Sequence, residues 1–371
     1  MVRGSKSPHT QEADDRMTLK LLFVNSSLTD GGSEKAMALV AQAMAARGHE
    51  VVMALAREKP RTYPLNGSIK IVQFQYGKSG KARKAMSRLR QLRTLIRSHD
   101  FDYVVCYMWD LNIATLVASL GLRRRIIVSE RSFPGASARS RLSRLVESLA
   151  YRLAYRIVYQ TPDAQAFCPR GLLSRSVIVP NMIEIAALKP YIGTRSRRMV
   201  SIGRLGPQKN FPLLMRSFAR FLDMHPGWSL EIYGKGATEG HLRALADRLR
   251  IAESVVFAGY VDDLHDQIRD AGMFVLASDY EGISNAMAES MALGLPVIST
   301  DCPVGGAALL IKDGESGRLV PVRDETALTQ AMSEIASDEN LSGQISRGAR
   351  ISAERFSPDR LALTWERDVL C

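Results

Sequence analysis

Two glutamates eight residues apart, Glu281 and Glu289, bracket the segment Asp279-Tyr280-Glu281-Gly282-Ile283-Ser284-Asn285-Ala286-Met287-Ala288-Glu289. A carboxylate is a good acceptor for paired sugar hydroxyls. A helix opening between the two glutamates offers backbone amides, from Gly282 through Ile283 and Ser284 to Asn285, that can hold a diphosphate without any side chain. The spacing corresponds to about 12 Å at ~1.5 Å per helical residue. That span suits a ligand with a polyol at each end and a diphosphate between. Taken alone, the same residues equally describe a capped helix with two surface glutamates. Arg204 and Lys209 add weight to the chemical reading. They lie five residues apart in Gly203-Arg204-Leu205…Lys209-Asn210-Phe211. Two cations in one strand-to-helix loop can clamp a diphosphate and neutralise a leaving group. Ordinary loop charge is the plainer alternative for that pair.

Such residues need rigid elements beneath them, and the hydrophobic pattern supplies these. Short apolar runs recur at Leu21–Asn25, Val51–Ala56, Ile69–Phe74, Tyr103–Met108, Ile126–Glu130 and Ile157–Gln160. Between most of them lie segments of helical period, such as Ser33–Arg47 and Leu111–Leu120. Runs that are apolar throughout and separated by helices read as parallel strands buried on both faces. The pattern breaks after Val177–Asn181 and restarts at Met199–Ile202, Ser229–Tyr233, Val255–Phe257, Met273–Leu276 and Val297–Ser299. Helices are expected at Glu325–Ser337, Leu341–Arg355 and Pro358–Leu370. The fold class is therefore α/β, with two doubly wound, Rossmann-like domains over residues 19–182 and 183–357. Residues 358–371 form a last helix that crosses back to the first domain. Residues 1–18 read as a disordered extension. A ligand belongs in the cleft between the domains, at the carboxyl ends of the strands.

Several motifs then occur in a fixed order. They are Gly203-Arg204-Leu205…Lys209-Asn210-Phe211, Tyr233-Gly234-Lys235-Gly236, Phe257-Ala258-Gly259-Tyr260, Ser278-Asp279-Tyr280-Glu281-Gly282, Glu289 through Pro303, and Asp313-Gly314-Glu315-Ser316-Gly317-Arg318-Leu319-Val320. As an ensemble they resemble the retaining GT-B glycosyltransferases of family 4, specifically in the second half and more loosely in the first. The resemblance implies roles. Arg204 and Lys209 would bind the donor diphosphate, with the amides of Gly282, Ile283 and Ser284. Glu289 would bind the nucleotide ribose, and backbone around Tyr260 would meet the base. Glu281 would contact the hydroxyls of the transferred sugar and the charge developing on its ring. Gly31-Gly32 with Ser33-Glu34 matches the family's glycine loop, where Gly32 lets backbone approach the substrates; a plain turn before a helix is the other reading. Val128-Ser129-Glu130-Arg131-Ser132 resembles a signature of members that build bacterial polysaccharides and lipid-linked oligosaccharides. Glu130 is expected to orient or deprotonate the acceptor hydroxyl, unless it serves a salt bridge with Arg131 or another arginine. One departure stands out. The family's Gly-Pro-x-Glu after Asp-Cys-Pro is replaced by Gly305-Gly306-Ala307-Ala308, so a glutamate is absent.

Charge separates the two halves. Residues 1–180 hold 29 Lys and Arg against 13 Asp and Glu, whereas residues 181–371 hold 21 against 25. Eight cations and no acid lie between Lys78 and His99, among them Lys81, Lys84 and Arg88, around an apolar stripe of Met86, Leu89, Leu92 and Ile96. A second basic amphipathic stretch, Arg139–Arg156, is expected to turn Leu142, Leu145, Val146 and Leu149 inward. Lys81, Lys84, Arg88 and Arg131 are thus candidates for contact with an anionic phospholipid surface or a lipid-linked diphosphate; solvated helix faces are the alternative. Nucleic acid fits poorly, because no base-reading motif accompanies the charge. No G-x-G-x-x-G follows the first strand, which disfavours a nicotinamide oxidoreductase. The four cysteines have the spacing of neither a disulfide framework nor a zinc site. No metal or other cofactor is expected, and a nucleotide sugar enters as substrate. Taken together, the reading is a retaining, metal-independent hexosyltransferase at the inner face of a bacterial plasma membrane. It would move a hexose or N-acetylhexosamine, UDP-linked, to a polyprenyl-diphosphate-linked glycan. A catalytically idle relative that binds a glycan or a membrane partner, and a nucleotide-sugar epimerase, remain open.

Overall fold

The computed structural model describes residues 17–29, 31–59, 63–76, 80–131 and 141–371, apart from the side chains of Arg141, Leu142 and Arg144. The expectations for residues 1–16, Lys78, Ser132, Arg139 and the Leu142 side chain lie outside the described residues.

The first half comprises β1 (Lys20–Asn25), α1 (Gly32–Ala46), β2 (Glu50–Leu55), β3 (Lys70–Gln73), α2 (Lys81–Ser98), β4 (Tyr103–Tyr107), α3 (Trp109–Ala118), β5 (Arg125–Ser129), α4 (Arg141–Tyr151), β6 (Arg156–Tyr159), α5 (Pro162–Gln165) and β7 (Ser176–Ile178). Its strands form one sheet in the order β3-β2-β1-β4-β5-β6-β7, every described pairing being parallel. Val, Ile and Leu fill the central strands on both faces, as a sheet sandwiched between helices requires. Strand β1 is buried from Leu21 onward, and β4 along its whole length. Helices α2 and α3 pack over one face, and α1 lies over the other.

The second half comprises β8 (Ser196–Ile202), α6 (Phe211–Met224), β9 (Ser229–Tyr233), α7 (Glu239–Arg248), β10 (Val255–Gly259), α8 (Leu264–Ile268), β11 (Ala271–Leu276), α9 (Asn285–Ala292), β12 (Val297–Thr300), α10 (Gly306–Leu310), β13 (Arg318–Val320), α11 (Glu325–Ser337), α12 (Glu339–Glu354) and α13 (Pro358–Thr364). Here the order is β10-β9-β8-β11-β12-β13, again parallel. Both sheets reverse their strand order beside the first strand, at β1/β4 and at β8/β11. Each reversal leaves a crevice at the carboxyl ends of the strands.

Strand boundaries differ from the hydrophobic runs by one to three residues, because polar residues such as Lys20, Glu50 and Ser196 still pair at the strand starts. Strand β13 was not separable as a run, since only Leu319 and Val320 are apolar. The last helix is not continuous to Leu370. It is α-helical to Thr364 and continues as a π-helical turn over Trp365–Val369. Trp365 is fully buried, in an apolar cluster that takes residues from both halves. Helix α13 packs on α1, and Glu366 accepts from Arg47 Nε at 2.5 Å and Nη2 at 2.7 Å. The connector that leaves the first domain meets the returning chain where the Ile183 amide donates to Phe356 O, 2.9 Å.

Candidate active site

The loops carrying the sequence-selected residues all leave carboxyl ends of strands. Arg204 and Lys209 follow β8, Tyr260 follows β10, and Glu281 to Ser284 follow β11. Between β8 and α6, Asn210 takes a left-handed backbone (φ 42°). Its side chain caps α6 by accepting from the Leu213 amide and donates to Asp279 Oδ1 at 2.8 Å. An asparagine tolerates that conformation because its short amide bonds locally. The turn brings Lys209 back across Gly203, where an added Cβ would stand 2.8 Å from Lys209 Cε.

The turn sets Lys209 on Glu281, with Nζ 2.5 Å from Oε2. Gln208 Nε2 donates to the same oxygen at 3.3 Å, and Ser278 Oγ does so at 3.4 Å. The Glu281 amide is itself fixed on Pro303 O at 2.9 Å. The result is a half-buried carboxylate whose second oxygen is held in one place. Arg204 is exposed and has no ion pair among the described residues. Ser284 caps α9 by accepting from the Met287 amide, and α9 therefore begins at Asn285. The amides of Gly282 and Ser284 have no partner among the described residues. Ile283 departs from expectation. Its amide donates to Gln160 Oε1 of the first domain at 3.1 Å, so it is already occupied.

Glu289 lies on α9 and is held from both domains. Lys35 Nζ on α1 stands 2.5 Å from Oε1, and His265 Nε2 on α8 stands 2.9 Å from Oε2. Burial alone would push this carboxyl up; the His265 and Lys35 contacts outweigh it and hold it below the usual glutamate range. Neither partner was foreseen. Lys35 directly follows the glycine loop and was the readable signal; nothing local marks His265. Tyr260 is exposed at the end of β10, beside Gly259 with its left-handed φ of 70°.

The first domain meets this wall at several points. Asn285 Nδ2 donates to Gly32 O at 3.2 Å, and Asn181 Nδ2 donates to Asn285 Oδ1 at 2.9 Å. The glycine loop itself is braced by Glu34, a buried carboxylate that accepts from Ser26 Oγ at 2.6 Å and from the Thr29 amide at 3.2 Å, and also bonds the hydroxyls of Ser27 and Thr29. Burial would raise Glu34, yet these donors together hold it below its ordinary value.

Two family models match the chain. One, described as "Glycosyl transferase 4-like domain", covers residues 31–181; the other, "Glycosyl transferases group 1", covers residues 196–338. The chain belongs to the GT-B glycosyltransferases of family 4. Among its relatives, the N-acetylgalactosamine-N,N'-diacetylbacillosaminyl-diphospho-undecaprenol 4-alpha-N-acetylgalactosaminyltransferase of Campylobacter jejuni is 27% identical, over 73% of this chain and 76% of its own. Anabaena HepE, solved in complex with UDP-glucose, shares the fold with a TM-score of 0.77 at 16% identity, covering 93% of this chain and 98% of that one. An exopolysaccharide phosphotransferase of Streptomyces coelicolor is 32% identical over 52% of this chain, which spans only 20% of that relative's length.

On the acceptor side, this glycosyltransferase differs from the sequence expectations. Glu130 follows β5 as expected, but it is 3% exposed and its carboxylate accepts from Tyr151 OH at 3.3 Å. It is a buried, bonded group where a base open to the cleft was expected. Arg131 does not face outward. Its guanidinium lies 4.0 Å over the Tyr107 ring and donates to Asn181 Oδ1 at 2.6 Å, so it offers no charge to a membrane. Arg88 is half-buried and pairs with Asp110 at 3.3 Å. Lys81 and Lys84 are exposed, as a membrane-facing role needs. Leu145, Val146 and Leu149 were expected inside; all are exposed.

Proposed function

We propose that this glycosyltransferase moves a hexose or N-acetylhexosamine from a UDP-sugar to a glycan carried on polyprenyl diphosphate. The transfer proceeds with retention and without a metal, at the inner surface of a bacterial membrane. One observation carries the reading. On the loops that follow β8 and β11 and on α9 stand a carboxylate paired to a cation (Glu281, Lys209), two amides without a partner among the described residues (Gly282, Ser284), a second cation (Arg204) and a half-buried anionic carboxylate (Glu289). Such a set suits a ligand made of a sugar, a diphosphate and a ribose. Lys209, Arg204 and the amides would take the charge of the departing diphosphate, the part a metal plays elsewhere. Glu281 would face the sugar ring as positive charge develops, and the acceptor hydroxyl would attack from the face the leaving group vacates. The undecaprenol-linked substrate named for the Campylobacter relative and the UDP-glucose bound by HepE support the acceptor and donor classes.

The test is turnover against a panel of UDP-, GDP- and ADP-sugars, with a polyprenyl-diphosphate glycan as acceptor, in the presence and absence of EDTA. The expected result is α-configured product from a UDP-α-sugar, unchanged by EDTA. Conversion of the donor without an acceptor would favour an epimerase. Binding of no nucleotide sugar would end the enzymatic reading.

A further inference from the structure

We propose that Lys35 is a positioning residue for ribose recognition, and that through it the glycosyltransferase recognises its nucleotide fully only when the two domains are closed. The inference rests on the reading of Glu289 as the ribose acceptor.

A carboxylate offers about four lone-pair sites. At Glu289, Lys35 takes one on Oε1 and His265 one on Oε2. Among the described residues one site on each oxygen is left, which is what a vicinal diol needs. The side chains are only 23% (Lys35) and 13% (Glu289) exposed, so the contact is sheltered from screening by solvent. Without a cation, a carboxylate this enclosed shifts towards its protonated form and presents a donor where the diol needs an acceptor. Lys35 therefore fixes both the rotamer and the charge of Glu289.

The cation comes from the opposite domain. It sits in the first turn of α1, three residues after Gly32, whose carbonyl accepts from Asn285 at 3.2 Å. The start of α1 is thus docked on α9 at two points, and opening of the cleft removes both. His265, from the same domain as Glu289, stays behind and carries charge only when protonated. An open molecule would hold the diphosphate on Arg204 and Lys209 yet read the sugar of the nucleotide poorly. Closure would add the ribose contact and bring the glycine loop to the site together.

Calorimetry of UDP, 2′-deoxy-UDP and 3′-deoxy-UDP binding to the full chain tests this. Wild type should prefer UDP by about tenfold over the weaker deoxy analogue, the effect of one hydrogen bond to a charged group. Lys35→Met should bring that preference within about twofold, and Lys35→Arg should restore most of it. A merely structural Lys35 would weaken all three ligands equally and leave the preference intact, and that outcome overturns the proposal. Glu289→Ala separates the two layers. If it abolishes the preference while Lys35→Met does not, the positioning role alone fails. If wild type shows no preference, or Glu289→Ala keeps it, the ribose reading itself fails and the proposal falls with it.

Discussion

Glu281 and Lys209 illustrate how much one contact constrains chemistry. The ammonium neutralises the carboxylate from a loop 72 residues upstream in sequence, and Gln208 and Ser278 crowd the same oxygen. A group held by so many donors cannot swing away as a bound sugar changes shape. If it faces the transferred sugar as proposed, it is preorganised for charge that appears only in the transition state, where such groups are worth most. Glu281→Ala should therefore lower kcat by about 10²- to 10³-fold with little change in donor affinity. On the proposed donor reading, Lys209→Ala removes a diphosphate ligand and also leaves Glu281 without its cation, so kcat and donor affinity should fall together. Steady-state kinetics alongside direct titration of the nucleotide distinguishes the two patterns. Turnover intact in Glu281→Ala would remove this residue from the reaction.

The loop after β12, Val304-Gly305-Gly306, packs tightly against the segment that carries Gly282. Gly306 opens α10 directly against the backbone of the donor loop; a Cβ there would sit 1.8 Å from Gly282 O. Gly305 has a φ of 71°, and its neighbour Val304 has 106°, a conformation costly for a β-branched residue. Val304 O in turn accepts from Thr161 Oγ1 of the first domain at 2.5 Å. Gly306, with no side chain, lets α10 press against Gly282. Gly306→Ala should push the Gly282 segment outward, destabilise the fold by about 1–3 kcal/mol, and weaken donor binding beyond what the loss of stability explains. Thermal unfolding with and without UDP measures both effects, and an unshifted UDP affinity would show that the donor loop absorbs the clash. The parallel, doubly wound class and the meeting of loops at the carboxyl ends of the strands were legible in the sequence, since runs such as Tyr103–Met108 and Met273–Leu276 have one buried solution; the strand order was not. Lys35 was not legible as a partner of Glu289, because 254 residues separate them and only the packing of α1 on α9 joins them. Glu130 was placed correctly at the end of β5, but its partner Tyr151 comes from a helix whose orientation the sequence leaves free. The same freedom explains α4: an amphipathic pattern shows that a helix has an apolar face without saying which way that face looks.

At the scale of the whole molecule, exposed apolar side chains and exposed cations share one layer of helices. Helix α3 lies between α2 and α4, and all three contact their neighbours in one layer over the first sheet. Leu145, Val146 and Leu149 on α4 are exposed, as are Leu153 just beyond it, Val117 and Leu120 at the end of α3, and Met86 on α2. Lys81, Arg83, Lys84 and Arg90 are exposed on α2 in the same layer. Several large apolar side chains on one face of a water-exposed layer are a standing cost unless another surface covers them. A bilayer interface suits them, since it takes up apolar side chains while anionic headgroups attract neighbouring cations at about 1 kcal/mol each. Among the described residues no helix is long and apolar enough to cross a membrane, so contact of this kind would be peripheral. Vesicle co-sedimentation should accordingly show binding to phosphatidylglycerol-containing vesicles and far less to neutral phosphatidylcholine. Raised salt should weaken it, because screening shortens the reach of the cations. The double variant Lys81→Glu/Lys84→Glu should cost at least about tenfold in partitioning and flatten the salt dependence. Leu145→Ser/Leu149→Ser should reduce partitioning while keeping the salt dependence, because it removes buried apolar area and leaves the charge. Leu145→Ser/Leu149→Ser should retain transfer to a short, water-soluble acceptor, since it leaves the charged residues in place. Equal binding of wild type to neutral and anionic vesicles, or to neither, would sink the membrane assignment for this face.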